Sequence, residues 1–269
     1  MNFEYWSFEN IKTVAYFELL RYLKKKRIYV MTILTVLMIA LNLITKIAFS
    51  VPIGNDVKQF ISGELGSIQT LVILTAVFFA GDSLTSEFEK KTGYVLLPNP
   101  VSREEIFIGK LVASYLISLS FILAYYLFVG LEALYYFGSL PIEFFSSLGL
   151  ALLYLLAITS FSYIFNASLT SSTIAMVLVF FVYFMIFSII ESIHSFMGVE
   201  PIYVLTYYGE AITEVLTPHS PRIQELVIGN FKIYTFYPDV TMAVIVLLIY
   251  TVVSSVLAAY IFKTRELKQ

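Results

Sequence analysis

Six long apolar runs, separated by polar stretches, constrain the fold of this sequence more than any other feature. A helix rises about 1.5 Å per residue and the hydrocarbon core of a membrane is about 30 Å thick, so a run of about 18 apolar residues predicts a transmembrane helix. Only 13% of the 269 residues are charged, whereas soluble domains carry about 25%. The sequence therefore predicts an all-α integral membrane protein whose six spans cover residues 28–49, 64–81, 106–137, 143–165, 173–190 and 240–262.

The distribution of basic residues predicts how these spans are oriented. When both termini are placed on the same side, 13 of the 17 lysines and arginines fall on that side, and the other four are Lys46, Lys58, Arg222 and Lys232. Cytoplasmic loops of membrane proteins are enriched in Lys and Arg. We therefore expect a multi-pass protein of the plasma (cytoplasmic) membrane with both termini in the cytoplasm. No cleavable signal peptide is expected, because no short apolar core precedes a small-residue cleavage site.

The segment 8–27 precedes the first span and has an amphipathic pattern. At 100° per residue, Glu18, Arg21 and Lys25 fall on one side of a helix, and apolar residues fall on the other. Such a helix is suited to lying in the membrane interface as an elbow before the first span. We expect five basic residues at the end of this helix to contact membrane lipids and to anchor the topology. They are Arg21, Lys24, Lys25, Lys26 and Arg27.

A polar loop at residues 82–105 separates the second and third predicted spans. Ser86–Glu89 and Ser102–Glu105 each fit the Ser-x-x-Glu capping box of a helix start. Pro98 and Pro100 lie between them and disfavour helical geometry in the residues that precede them. The loop therefore predicts a short helix over about 86–96, an extended break, and a second helix that begins at Ser102 and continues into the third span.

A second long segment, residues 191–239, precedes the sixth span and is too apolar for a free loop. Its residues 201–216 predict a short helix, and residues 225–237 are again mostly apolar. Irregular backbone at membrane depth must be buried in protein or face water. The segment is therefore either a re-entrant lid over a pathway or a cap that packs on the spans, and the sequence leaves both readings open.

The sequence lacks the residue patterns of catalysis and of metal binding. No G-x-x-x-x-G-K-[ST] phosphate loop occurs, so the chain alone is not expected to hydrolyse ATP. Without cysteine it has no disulfide and no thiolate site. His194 and His219 are expected to be unrelated surface residues, since a metal site needs three or four converging ligands. A net charge of −2 does not suggest nucleic-acid binding. We expect no catalytic residue, metal or cofactor on the chain.

The predicted spans carry no charge near their middles, where charges usually mark ion pathways because each costs roughly 2.5–3.5 kcal/mol on insertion scales. Glu132, near the outer end of the third span, is the best exception. We expect it to be a boundary residue that faces the outer surface. Lys46 lies near the far end of the first span, where its amine can reach the interface. This pattern argues against a proton- or sodium-coupled carrier.

Several motifs in residues 10–115 occur together in one known family. They are the basic end of the elbow, Leu20–Arg27, then Ser86–Glu89, Leu96-Leu97, Pro100–Arg103 and Gly109-Lys110. The chain resembles the ABC type-2 exporter permeases, the membrane subunits that work with a separate ATP-binding-cassette ATPase. The family usually has Gly-Thr where this chain has Thr92-Gly93.

The resemblance implies six spans, an interfacial elbow helix and a coupling helix between the second and third spans. It also implies a working unit of two permeases and two ATPase subunits, with ATP and Mg bound on the ATPase and the second permease either a copy or a homologue. The residues that would lie on the coupling helix and dock onto the ATPase are Glu87, Phe88, Glu89, Lys90 and Lys91. Arg103 would lie at the rim of this docking site.

Three functions are compatible with these observations. The first is the permease subunit of an ATP-driven exporter, which forms the translocation pathway. The second is an ion-coupled secondary carrier that uses Glu132, and the third is a membrane scaffold without a transport role. A neighbouring gene for an ATPase with a phosphate loop would favour the first.

Overall fold

The computed structural model describes residues 8–48, 56–81, 83–85, 101–228 and 231–264. An N-terminal helix, Phe8–Lys24, is followed by six helical segments that are long and apolar enough to cross a membrane. Span 1 is Lys26–Ala48, span 2 is Val57–Glu64 and Ile68–Ala80 joined by the 3-10 turn Leu65–Ser67, span 3 is Arg103–Phe137, span 4 is Ile142–Ser168, span 5 runs from Ser172 to Met197 with a π-helical turn at Val182–Ile186, and span 6 is Val240–Thr264.

Local capping chemistry explains where several of these helices begin and end. Span 3 begins with the predicted capping box at Ser102: its hydroxyl accepts a hydrogen bond from the Glu105 amide at 3.2 Å, and its own amide donates to the Glu105 carboxylate at 2.7 Å. Span 3 ends at Gly138, whose φ of 71° lies in the left-handed region that favours glycine. Span 2 begins earlier than residue 64, because Asp56 caps the helix by accepting from the Lys58 amide at 2.9 Å. The other predicted capping box, at Ser86, lies outside the described residues.

Spans 2, 3 and 4 form the centre of the bundle, and spans 1, 5 and 6 form its outside. Of the most apolar 18 residues in each helix, 61% are buried in span 2 and 56% in spans 3 and 4, against 11% in span 1 and 22% in spans 5 and 6. The exposed residues of the outer spans are themselves large and apolar. Such surfaces suit lipid or another apolar partner rather than water.

The two ends of the bundle differ. The end that we call the loop end carries the N-terminal helix, Ser83–Thr85, the first two turns of span 3 and the last turn of span 6. The N-terminal helix packs along the start of span 3, and span 6 packs along span 4. The opposite end, which we call the hairpin end, carries the segment between spans 5 and 6.

The segment between spans 5 and 6 differs from the prediction of an all-α fold. Span 5 continues to Met197, beyond its predicted end at residue 190. The predicted helix over 201–216 is helical only as a 3-10 turn at Thr206–Glu210 and a short α-helix at Ala211–Glu214. Two antiparallel strands follow, β1 at Ile223–Ile228 and β2 at Phe231–Phe236. Their sequence explains them, since β-branched and aromatic runs separated by Gly-Asn are a hairpin signal.

The helical part of this segment is buried against the bundle. Leu205, Tyr207, Tyr208 and Ile212 all have less than 5% of their surface exposed. The Tyr208 hydroxyl donates to the Ile202 carbonyl at 2.8 Å, and Gln69 of span 2 donates to the Thr206 carbonyl at 2.8 Å. These contacts pack the helical part of the segment against spans 2 and 4.

Candidate functional site

The loop end contains both edges of the predicted coupling loop. Ser83–Thr85 leads out of span 2, and Ser102 leads into span 3. The docking residues predicted between these edges, Glu87, Phe88, Glu89, Lys90 and Lys91, lie outside the described residues. The structure therefore gives the anchors of this loop and the side chains that hold them.

Lys110, on span 3, is a buried cation that joins three elements. Its side chain is 2% exposed, and its Nζ donates to the Glu18 carboxylate of the N-terminal helix at 3.3 Å and to the Ser83 carbonyl at 2.9 Å. The Glu18 side chain is itself only 6% exposed. A buried charge that loses its partner costs several kcal/mol, so this contact fixes the N-terminal helix and the exit of span 2 to span 3.

The predicted polar face of the N-terminal helix therefore points partly into the protein. Arg21 pairs with Glu18 one turn away, and Lys25 lies 5.7 Å from the centre of the Tyr22 ring. Lys24 and Lys26 are exposed, and Arg27 is partly buried. The apolar residues Tyr16, Phe17 and Leu23 are exposed, as expected for a face that meets lipid. Glu18 and Arg21 thus have partners within the protein, whereas these apolar residues are exposed.

A network of buried hydroxyls lies next to the ion pair. The Tyr22 hydroxyl donates to the Phe79 carbonyl of span 2 at 2.7 Å and lies 2.9 Å from the Ser114 hydroxyl of span 3. The Ser114 hydroxyl lies 2.7 Å from the Tyr163 hydroxyl of span 4. All of these side chains are shielded from solvent. The network therefore links the N-terminal helix to each of the three central spans.

Asn166 holds the first edge of the loop from the side of span 4. It is fully buried, and its amide group donates to the Ala80 carbonyl, the last residue of span 2. Its side-chain oxygen accepts from the Thr85 amide at 2.9 Å and also from the Thr85 hydroxyl. Donor and acceptor are both used, so one side chain satisfies the backbone where span 2 ends and the loop begins.

Arg103 lies at the second edge of the loop and contacts span 6. Its guanidinium donates to the Lys263 carbonyl at 3.1 Å, and the Lys263 amine pairs with Glu104 at 2.7 Å. Asn10 of the N-terminal helix donates to Glu105 at 3.2 Å. The start of span 3 is thus held by both ends of the described chain.

Comparison with known proteins places the chain in a family. The family model for the ABC-2 family transporter proteins matches residues 12–267, nearly the whole chain. The chain belongs to the ABC-2 transporter family. Proteins of this family are membrane subunits that partner with ABC ATPase subunits, so this ABC-2 protein is a multi-pass membrane protein of the permease type. No curated protein matches the chain.

Sequence reasoning found part of the loop end of this ABC-2 protein and missed part. Gly109-Lys110 was included among the family motifs without a role, and Arg103 was expected only at the docking rim. Asn166 and the buried position of Glu18 were not predicted. A single amide side chain at the end of an apolar span, next to small residues, was the available signal for Asn166.

Gly109 allows the N-terminal helix to approach span 3, and its replacement tests this contact. A Cβ atom at position 109 would lie 2.8 Å from the Val14 side chain and 3.0 Å from the Ile11 carbonyl. We expect Gly109→Ala to destabilise the protein by about 1–3 kcal/mol, because the helix must move away. Gly149→Ala is the matched control, since a Cβ there meets nothing within 4 Å. Thermal unfolding in detergent measures both, and equal melting temperatures would contradict the close packing.

The hairpin end of this ABC-2 protein contains a second buried charge cluster, which corrects two expectations. The amine of Lys46 lies 2.8 Å from the Glu64 carboxylate and 3.1 Å from the Glu132 carboxylate. Glu132 therefore does not face the outer surface as predicted, since its side chain is only 10% exposed. Lys46 does not extend to the interface either, because two carboxylates hold it between spans. The pairing of Lys46 with Glu132 is not visible in the sequence, because the two residues are 86 positions apart.

The two histidines also lie at the hairpin end, where each has its own partners. His219 pairs with Glu214 at 2.7 Å and stacks on the Tyr237 ring with 3.7 Å between ring centres. His219, Glu214 and Tyr237 border a cavity of about 330 Å³ whose wall includes Glu210. Glu210 reaches solvent at this cavity, yet the protein around it and the carboxylates of Glu191 and Glu214 raise its pKa to about 7. No group of three potential metal ligands occurs within the described part of the chain.

Proposed function

We propose that this ABC-2 protein is the permease subunit of an ATP-driven exporter and forms the translocation pathway. It would bind no nucleotide itself, and ATP and Mg would act on the separate ATPase. The working unit would contain two ATPase subunits and a second permease, either another copy or a homologue. The loop end and both termini would lie in the cytoplasm of a cell whose plasma membrane holds the complex, as the distribution of Lys and Arg favours.

One observation supports this proposal beyond family membership: buried polar contacts hold the first edge of the 82–105 loop to the central spans. Lys110 binds the Ser83 carbonyl and Glu18, and Asn166 binds Ala80 and Thr85. Because each contact is shielded from water, separating its partners costs free energy. A force applied to this loop by a partner would therefore move the N-terminal helix and spans 2, 3 and 4 together.

The buried contacts at the loop end suggest how motion of the loop would be passed to the spans. Packed cores respond to displacement by moving as units, since they deform little. An ATPase that pulls on the loop as it closes on ATP would tilt the central spans and change access to a pathway between permease copies. The exposed apolar faces of spans 1, 5 and 6 leave room for such a neighbour as well as for lipid.

Charge reversal on the predicted coupling helix tests the proposal directly. We expect Glu87→Lys with Glu89→Lys to weaken association with the ATPase by about tenfold to a hundredfold. The new lysines would repel the positive groups on the ATPase that the two glutamates are proposed to attract. The measurement is co-purification of the tagged chain with its ATPase, followed by ATP-dependent transport in liposomes. Glu225→Lys is the matched control, since Glu225 is an exposed carboxylate on β1 at the opposite end.

The outcome separates the proposal from its alternatives. Unchanged association and unchanged transport in the double variant would show that the docking site is elsewhere. An ion-coupled carrier would instead move solute in response to a proton gradient without any ATPase, and would lose this activity in Glu132→Gln. The buried position of Glu132 beside Lys46 is the observation that keeps this alternative in the test. A scaffold would show neither activity.

A further inference from the structure

The charge cluster at the hairpin end has one positive and two negative groups in a place that excludes water. Lys46 of span 1, Glu64 of span 2 and Glu132 of span 3 have side chains that are 17%, 8% and 10% exposed. Lys46 also lies over the Phe60 ring, 4.5 Å from its centre. Burial of a net charge is costly, because an isolated ion loses its hydration and gains little from a low-dielectric surrounding. As fully ionised groups, the cluster would keep one uncompensated negative charge.

The hydrogen bonds of the two carboxylates show the same deficit. In each residue, Oε1 faces the Lys46 amine. Within the described part of the chain, the second oxygen, Oε2, of both Glu64 and Glu132 is shielded from solvent and has no hydrogen-bond donor. The two carboxylates are close enough to interact with each other directly. Two ionised carboxylates close to each other repel, and one proton bound to the pair would remove this repulsion and supply a donor.

The other polar groups near the cluster do not supply that donor. Tyr125 of span 3 donates to the Glu64 backbone carbonyl at 2.8 Å, and Asn42 of span 1 donates to the Tyr125 hydroxyl at 2.8 Å. Lys58, on span 2, pairs with Glu143 of span 4 at 2.6 Å and is thereby engaged. These groups order the backbone around Glu64, and none of them donates a hydrogen bond to either Oε2 atom.

We propose that Glu64 and Glu132 share one proton at neutral pH, so that the cluster is a single-proton site joining spans 1, 2 and 3. The proton is taken from water, forms an O–H bond with one carboxylate and donates a hydrogen bond to the other. Lys46 remains an ammonium, and the cluster becomes electrically neutral. The ligand of this site is thus a proton, and its gain or loss changes the attraction that holds the three spans together. The site exists whether or not an ATPase drives the protein.

Infrared spectroscopy of the purified full-length chain tests the shared proton. Difference spectra between neutral and strongly alkaline buffer should contain the carbonyl band of a protonated carboxylic acid. In a Glu210→Gln background, which removes the carboxyl group whose pKa is raised to about 7, we expect Glu64→Gln and Glu132→Gln each to abolish that band. The remaining carboxylate then pairs with Lys46 one to one and needs no proton. Glu143→Gln is the control, since Glu143 has its own partner and should leave the band unchanged.

Stability against pH gives a second readout, which an ordinary salt bridge would not produce. The native chain binds a proton that the unfolded chain has released at neutral pH, so stability falls as pH rises. In the Glu210→Gln background, we expect the apparent unfolding constant to rise by up to about tenfold per pH unit between the pH at which unfolded carboxylates release their protons, about 4, and the higher pH at which the native cluster releases its own. Above that pH the rise should stop, and in Glu132→Gln it should be smaller. The glutamine variant should be at least as stable as the wild type in alkaline buffer.

Three results would overturn the proposal. The band could be absent from the wild type, which would mean two ionised carboxylates. It could persist in both glutamine variants, which would place the proton elsewhere. Lastly, the band could appear only after sodium is removed, with sodium raising the melting temperature, which would make a metal cation the occupant. Because none of these measurements uses the ATPase, they stand or fall apart from the proposed exporter function.

Discussion

Replacing Glu18 by leucine is expected to destabilise the protein by about 3–5 kcal/mol, because it breaks a buried ion pair with the Lys110 ammonium. Lys110 is 2% exposed and cannot reach water without opening the contact between the N-terminal helix and span 3. The Ser83 carbonyl also accepts a hydrogen bond from this amine, but a neutral carbonyl does not replace the lost carboxylate. Thermal unfolding in detergent measures the loss, together with the yield of folded protein.

A second substitution distinguishes a buried charge from lost packing. In Glu18→Leu with Lys110→Met the buried cation is removed together with the carboxylate, so the double variant should be more stable than Glu18→Leu alone. Lys12→Met removes an exposed charge from the same helix and should change stability by less than about 0.5 kcal/mol. If the double variant is the less stable one, the pair does not act as a buried ion pair.

Replacing Asn166 by leucine is expected to cost about 2–4 kcal/mol. The change removes hydrogen bonds to Ala80 and Thr85 and leaves a carbonyl and an amide without partners inside the protein. Each buried backbone group that loses its partner costs about 1–3 kcal/mol. Ser168→Ala is the matched control at the same end of span 4, because the Ser168 hydroxyl is exposed and bonds only to the Ile164 carbonyl of its own helix.

The same variant should also separate ATP hydrolysis from transport in the assembled complex. Asn166 binds the edge of the coupling loop and does not lie on the predicted docking helix, so association with the ATPase should persist. If the proposed coupling holds, Asn166→Leu should lower the amount of substrate moved per ATP hydrolysed. The measurement is the ratio of transport to ATPase rate in liposomes, with Ser168→Ala in parallel. An unchanged ratio would mean that force does not pass through this contact.

Local sequence patterns predicted the elements of this protein well where one segment decides its own structure. The length of each apolar run depends only on neighbouring residues and on the thickness of a bilayer, and six candidate spans are found. The capping box at Ser102 is a matter of four consecutive residues, and it forms as predicted. The β1–β2 hairpin is just as local, and the Gly-Asn pair between its two runs is the sequence signal for it.

The contacts that give this protein its candidate sites were beyond the reach of sequence alone. Glu18 and Lys110 are 92 residues apart, and Asn166 and Ala80 are 86 apart. A helical wheel places Glu18 on a polar face but cannot say whether that face meets water, lipid headgroups or a buried lysine. Likewise, Lys46 and Glu132 each read as a residue at the end of a span until packing brings them together.

The sequence by itself determined the class of the protein, the number of its spans and its membership of a family, because apolar length, capping and motif spacing are properties of short segments. The tertiary structure alone decided which charges are buried and with whom they pair. That choice depends on how the spans pack side by side. Water is excluded only where several helices meet, and a charge becomes energetically important only once water is gone.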